Sequence, residues 1–253
     1  MLLSIIIPAY NEALFIEQSI QRIRAAMDKL HIEWELIVCD NNSKDETAAI
    51  ARKAGAKVVF EAQNQISRAR NSGARVAKGE WLLFIDADTY PDANLMRDVI
   101  NLIEPDTWLG FGSTVKAVDG PLWNRLRIER LNPSMRWFNW CGGAFIGCRK
   151  DTFEAIGGFS EDLYALEEIE FVQKLKAFGK KQGKRFKVLS NNPVYTSARR
   201  GQLTPGSIFR LFSSTLIAVI YLLLFYLLPK KLRPKANPKI LSFWYAYRTN
   251  NQN

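Results

Sequence analysis

The sequence predicts an α/β fold, with a mainly parallel central sheet and helices on both faces. Three observations predict it. Apolar runs rich in β-branched residues alternate with helix-period stretches through the N-terminal half. The runs are apolar throughout instead of alternating, as in strands buried on both sides. Turn and cap residues punctuate the joins, as strand–helix units require. With 253 residues, 47% of them apolar, the chain has material for a sizeable core.

The elements follow in order. "LLSIIIP" reads as the first buried strand. Asn11 is placed to cap the next helix, with Glu12 in its first turn and an apolar stripe of Leu14, Ile16, Ile20, Ile23 and Met27. "WELIVCD" is a second strand. Ser43 and Glu46 have the spacing of a capping box, opening a short helix through Ala54 that Gly55 stops. "KVVFE" is a third strand, "SRARNSGARVAKG" a helix ending at Gly79, and "WLLFID" a fourth strand.

Several chemistries are excluded early. The single histidine, His31, leaves no Ser-His-Asp or Cys-His mechanism and no His-based zinc site. Cys39, Cys141 and Cys148 form no metal-type cluster, and their odd count argues for a reducing compartment. No G-x-G-x-x-G follows the first strand, and no G-x-x-x-x-G-K-[ST] occurs, so a glycine-rich phosphate cradle is absent.

In open α/β sheets, ligands bind beyond the carboxyl ends of the strands. Those ends carry Pro8-Ala9-Tyr10-Asn11-Glu12, Asp40-Asn41-Asn42 and Asp86-Ala87-Asp88. If the backbone turns after Ile85, the carboxylates of Asp86 and Asp88 share one region, and their oxygens suit Mg²⁺ or Mn²⁺. A plain turn and helix cap, using Asp88-Thr89 and Pro91-Asp92, explains the same residues without a ligand.

Five segments taken together, "SIIIPAYNE", "LIVCDNNSKDET", "SRARNSGARVAKGEWLLFIDAD", "GGAFIGCRKDTFEAIGGF" and "LEEIEFVQKLKAFG", resemble the family 2 glycosyltransferases of GT-A fold, over about residues 3 to 180. The resemblance implies a Rossmann-like catalytic domain over residues 1–203 and an inverting transfer from a nucleotide-diphosphate sugar. It places Pro8, Ala9, Tyr10, Glu12 and Asp40 on the nucleotide, Arg68 or Arg70 near the donor, and Asp86 and Asp88 on a divalent cation and the sugar diphosphate. It puts Gly142 and Gly143 beside the donor sugar and acceptor, where strand packing is an equal explanation. The family's base lies in a Glu-Asp pair after a G-G-F segment. Here Gly157-Gly158-Phe159 precedes Glu167-Glu168, which makes Glu168 the expected base and Glu167 the second choice. Both acids also suit a helix N-terminus with no catalytic role.

Gln173 is followed by Lys174, Leu175, Lys176 and Ala177 instead of the Q-x-x-R-W of processive synthases, so a single sugar addition is expected. Arg199 and Arg200 fall where a diphosphate clamp, a lipid-headgroup patch, or both are expected. From Phe171 to Asn253 there are 16 Lys and Arg and no acid. That asymmetry predicts a polyanionic partner. The uncharged run from Leu211 to Leu228 has basic flanks, so residues 204–253 are expected to form a basic, apolar helical appendage that meets the membrane through residues 208–229, spanning it or lying in it. The N-terminus has no signal-peptide pattern.

The nucleotide-sugar donor that the resemblance implies puts the expected site at the cytoplasmic face of the cell membrane, and the apolar run with its basic flanks makes a lipid-linked or envelope glycan the expected acceptor. Two rivals remain: a nucleotide-binding module without turnover, which the Glu-Glu pair would favour, and a nucleotidyltransferase, which the missing glycine-rich loop disfavours. A nucleic-acid partner is not expected, because the C-terminal aromatics lie among aliphatics instead of among Lys and Arg.

Overall fold

A computed structural model describes residues 2–164 and 166–199 of the chain. The expected membrane segment, residues 208–229, and Arg200 lie outside the described residues.

The N-terminal half alternates as the sequence predicts. The elements are β1 (Leu2–Ala9), α1 (Ile16–Met27), β2 (Glu33–Asp40), α2 (Thr47–Lys53), β3 (Lys57–Phe60), α3 (Ile66–Val76) and β4 (Trp81–Ile85). Next come β5 (Thr89–Tyr90), α4 (Ala93–Ile103), β6 (Trp108–Ala117), α5 (Leu122–Glu129) and α6 (Asn132–Phe138). The described chain ends with β7 (Phe145–Arg149), α7 (Lys150–Ala155), α8 (Glu167–Gln182) and β8 (Arg185–Thr196).

The strands form one sheet in the order β3-β2-β1-β4-β7-β6-β8-β5. β1 pairs in parallel with β2 and β4, and β2 with β3. The far half is mixed: β7 runs antiparallel to β4 and β6, while β6 and β8 are parallel. The period-two geometry of β1 sorts its side chains between two cores. Ile5 and Ile7 join α1 and α4 on one face, and Ile6 joins Ala74 of α3 and Phe171 and Leu175 of α8 on the other. The second core is aromatic: Phe159 stacks on Phe171 at 4.0 Å between ring centroids and meets Phe84 edge-on at 5.0 Å.

The cap assignments need correction. Asn11 does not cap α1, which begins at Ile16 after Phe15 without a side-chain cap. Asn11 adopts the left-handed conformation (φ 53°), donates its N–H to Ser43 Oγ at 3.0 Å, and accepts from Lys44 N at 2.8 Å. The expected capping box does not form either, because Ser43 is spent on Asn11 and α2 starts at Thr47. These local cap signals instead join two loops at one end of the sheet. α3 ends at Val76, three residues short of Gly79.

The three cysteines are all buried free thiols. Burial pushes the Cys39 thiol up to about 12, and it raises those of Cys141 and Cys148 as well.

Candidate functional site

The carboxyl ends of β1, β2 and β4 frame an open cleft, lined by Pro8, Ala9, Tyr10, Glu12, Asn41, Ile66, Asp86 and Ala87. Five of these eight, Pro8, Ala9, Tyr10, Glu12 and Asp86, are residues singled out from the sequence. Parallel β1 and β2 end in register at Ala9 and Asp40, which brings the two strand ends together.

Loop bonding shapes the cleft. Glu12 is buried, and its N–H donates to Thr47 Oγ1 at 2.8 Å. The Asp40 carboxylate lies in the same end of the sheet and accepts from Ser43 N at 3.2 Å. Asn41 is a structural knot: its side chain donates to the carbonyls of Glu61 and Gln63 and accepts from Gln65 N at 2.9 Å, which sets the entry into α3. Asn41, Ile66 and Ala87 were not singled out as site residues. Asn41 and Ala87 stood in the strand-end clusters without a role of their own, and Ile66, at the start of α3, had no sequence signal.

The D-x-D segment turns as the sequence allowed. Thr89 N donates to Asp86 O at 3.0 Å, closing a tight turn, and Ser19 Oγ of α1 holds Ala87 O at 2.7 Å. The helix cap weighed at this place is Asp92, whose Oδ1 accepts from Leu95 N at 2.8 Å at the start of α4. Asp86 lines the cleft, and Asp88 lies just past it in the turn. Asp88 Oδ2 lies 3.3 Å from Arg199 Nη2. The same guanidinium pairs with Glu12 and lies 3.7 Å over the Phe15 ring. Arg199 thus joins the stretch after β8 to Glu12 of the cleft lining and to Asp88 of the D-x-D turn.

Of the two candidate arginines, Arg70 is the one at the centre. Its side chain is 1% exposed. Nη1 donates to Glu167 Oε1 at 2.9 Å, and Nη2 donates to Asp86 Oδ1 and to Gly143 O, both at 3.2 Å. Burial alone would lower the affinity of Arg70 for its proton, but Asp86, Glu167 and Glu168 outweigh burial and hold it raised. Its guanidinium also lies 5.0 Å from the centre of the Phe159 ring. Arg68 does not reach the cleft lining; it pairs with Glu61 and Glu161.

The glycine pair separates. A Cβ on Gly143 would collide with Arg70 Nη2, whereas one on Gly142 would meet only Met135 Cε at 4.0 Å. Glycine at 143 is explained by close approach to the buried cation, and nothing in the packing requires glycine at 142.

The acid pair opens α8. Asn71 of α3 holds the G-G-F segment by two bonds to the Phe159 backbone, at 2.9 and 3.0 Å. Leu166, just before the acids, sits in the left-handed region at φ 62°, a strained conformation for leucine. Glu167 is buried on Arg70. Glu168 keeps part of its surface in solvent while its carboxyl lies deep among protein atoms. That burial first, and the Glu167 charge second, hold its proton affinity well above the usual carboxylate range, against the pull of Arg70. Such a carboxyl is poised for proton transfer near neutrality.

Among known proteins, residues 4–153 match the family described as Glycosyl transferase family 2. An uncharacterized glycosyltransferase of Haemophilus influenzae is 28% identical over 184 residues, covering 69% of this chain and 62% of that protein. The UDP-Glc:alpha-D-GlcNAc-diphosphoundecaprenol beta-1,3-glucosyltransferase WfgD of Escherichia coli is 29% identical over 106 residues, covering 40% of this chain and 41% of its own. The matches thus span less than two thirds of these relatives' lengths. The mannosyltransferase PcManGT of Pyrobaculum calidifontis, solved with GDP-Man and Mn²⁺, superposes with a TM-score of 0.60 at 22% identity over 79% of this chain and 57% of that one, a likeness of fold.

Proposed function

The chain belongs to glycosyl transferase family 2 and has the GT-A fold, and on that premise we propose that it moves one sugar from a nucleotide-diphosphate sugar to an acceptor hydroxyl, with inversion. The observation that carries this reading is the buried Arg70, which bonds Asp86 at the cleft and Glu167 in the acid pair. One cation couples the donor cleft to the carboxyls expected to act on the acceptor.

The nucleotide lies in the cleft against Pro8, Ala9, Tyr10 and Glu12, with Asp40 and Asn41 beyond it. Glu168 takes the acceptor hydroxyl's proton as that oxygen attacks the anomeric carbon and the nucleoside diphosphate departs. Glu167 is a positioning residue, fixed by Arg70. Gly142 and Gly143 pass beside the transferred sugar.

The carboxylates fit a divalent cation. They are hard oxygen donors at one strand end, and Asp88 already faces a positive group, Arg199, at 3.3 Å. Mg²⁺ or Mn²⁺ would be held by Asp88 with Asp86 in support, and when bound would neutralise the charge of the leaving diphosphate. Arg199, and Arg200 after it, then serve the diphosphate. The acceptor is a lipid-linked or envelope glycan at the cytoplasmic membrane face, reached through residues 208–229. The diphosphoundecaprenol acceptor in the name of the Escherichia coli relative supports this choice.

The test is a donor panel on the full chain with Mn²⁺, Mg²⁺ or a chelator, with and without membrane lipid extract, reading nucleoside diphosphate release. Metal-dependent release from one donor, lost in Asp88→Ala and Glu168→Ala, is expected. Nucleotide binding with no release under any condition would point to the module without turnover.

A further inference from the structure

The α5–α6 segment turns several of its polar side chains to the sheet. Asn132 accepts from Val115 N at 2.9 Å and donates to Val115 O at 2.8 Å, Glu129 accepts from Ala117 N at 3.1 Å, and Arg125 donates to Ala117 O at 3.2 Å. Asn124 is fully buried and donates to Ala198 O at 2.5 Å. Met135 and Ile128 pack inward, but five other large apolar side chains face out. Leu122 and Leu126 are one helical turn apart on α5, and Trp137 and Phe138, which end α6, are 85% and 67% exposed. Leu131 between the helices is exposed as well. An exposed group of large apolar residues marks an interaction surface.

The exposed charges on this segment have one sign. Arg127, Arg130 and Arg136 are exposed. Glu129 is the only acid between Pro121 and Lys150, and it is turned to the β6 backbone. Trp, Phe and Leu interleaved with Arg match the boundary between acyl chains and anionic headgroups. The stretch after β8 agrees. Ser197 Oγ and Ala198 N bond Asp119 just before α5, so the stretch after β8 runs beside this surface, and the sequence that follows it carries the basic flanks and apolar run.

We propose that α5–α6 is a lipid-docking surface: Leu122, Leu126, Trp137 and Phe138 enter the headgroup region of an anionic bilayer, and Arg127, Arg130 and Arg136 pair with its phosphates. This deepens the membrane-facing part of the proposed function and rests on it. It adds a contact made by the catalytic domain itself, which holds the cleft at a set orientation to a lipid-borne acceptor.

The test uses the full chain and vesicles of phosphatidylglycerol and phosphatidylcholine with brominated acyl chains, which quench tryptophan emission on contact. Sedimentation with the vesicles reports membrane binding, and quenching reports which residue enters. Trp137→Phe is chosen because an exposed site tolerates it. Wild type is expected to sediment with the vesicles and to lose more emission than Trp137→Phe, by about one of the chain's seven tryptophans. Replacing Arg127, Arg130 and Arg136 by Gln should weaken binding about fivefold per arginine. Sedimentation with identical quenching in both proteins would overturn docking through α5–α6 while leaving membrane contact by residues 208–229 standing. No sedimentation at all, or a Trp137-dependent dimer in its place, would overturn both.

Discussion

Arg70 Nη1 donates to Glu167 Oε1 at 2.9 Å across 97 positions of sequence, and neither side chain has appreciable contact with water. A buried ion pair of this kind is strongly destabilising to break, because the partner is left charged and dry.

Arg70→Met should therefore lower stability by about 3–5 kcal/mol, measured by urea unfolding. Arg70→Met combined with Glu167→Met should recover part of that loss, since the second change removes the stranded carboxylate. Strict additivity of the two losses would show that the pair is not coupled.

Gly143→Ala should act through the same arginine. The added Cβ displaces the guanidinium and lowers stability by about 1–3 kcal/mol, with a parallel loss of transfer rate. Gly142→Ala, with open space around it, should stay within about 0.5 kcal/mol of wild type. Thermal melts of the two variants side by side decide the matter.

Glu168→Gln should reduce the transfer rate about 10²–10⁴-fold with little change in donor KM. In wild type the rate should rise with pH as Glu168 loses its proton, with a midpoint well above the ~4.3 of a free glutamate. Stability follows the opposite course. The folded carboxyl holds its proton more tightly than the unfolded one, so its contribution is full below the unfolded value and is lost as pH rises through the raised folded one. Glu168→Gln should flatten that decline in a series of melts across pH.

Arg199→Ala should separate two roles. Without the guanidinium, Asp88 and Glu12 lose a cationic partner, and Mn²⁺ should bind about fivefold more tightly to the nucleotide-free protein. Nucleoside diphosphate should bind more weakly in the same calorimetric titrations. Tighter nucleotide binding would show that Arg199 obstructs the site.

The first four strands were legible because buried parallel strands announce themselves as unbroken apolar runs, and the residues just past them fell at the cleft for the same reason. The caps were misread at Asn11 and Ser43 because their partners are each other, 32 positions apart, and local cap chemistry contains no such information. Choosing Arg70 over Arg68 required knowing which side of α3 faces Asp86 and the start of α8. The far half of the sheet was harder still. Gly110 and Gly112 interrupt β6 with no visible signal for a strand, yet a side chain at 112 would strike Cys141. The exposure of the α5 leucines depends on the bonds from Asn132 and Glu129 to β6, which fix the face that turns inward and have no local sequence signal.

The three buried thiols have a practical side. Protonated and walled off, Cys39, Cys141 and Cys148 should be unreactive toward maleimides and mild oxidants in the folded protein. A cysteine introduced on the outer face of α6 would then be the group to react with a fluorophore or spin label, with every native cysteine left in place. The distance from the cleft to a bilayer is thus open to spectroscopic measurement without rebuilding the core.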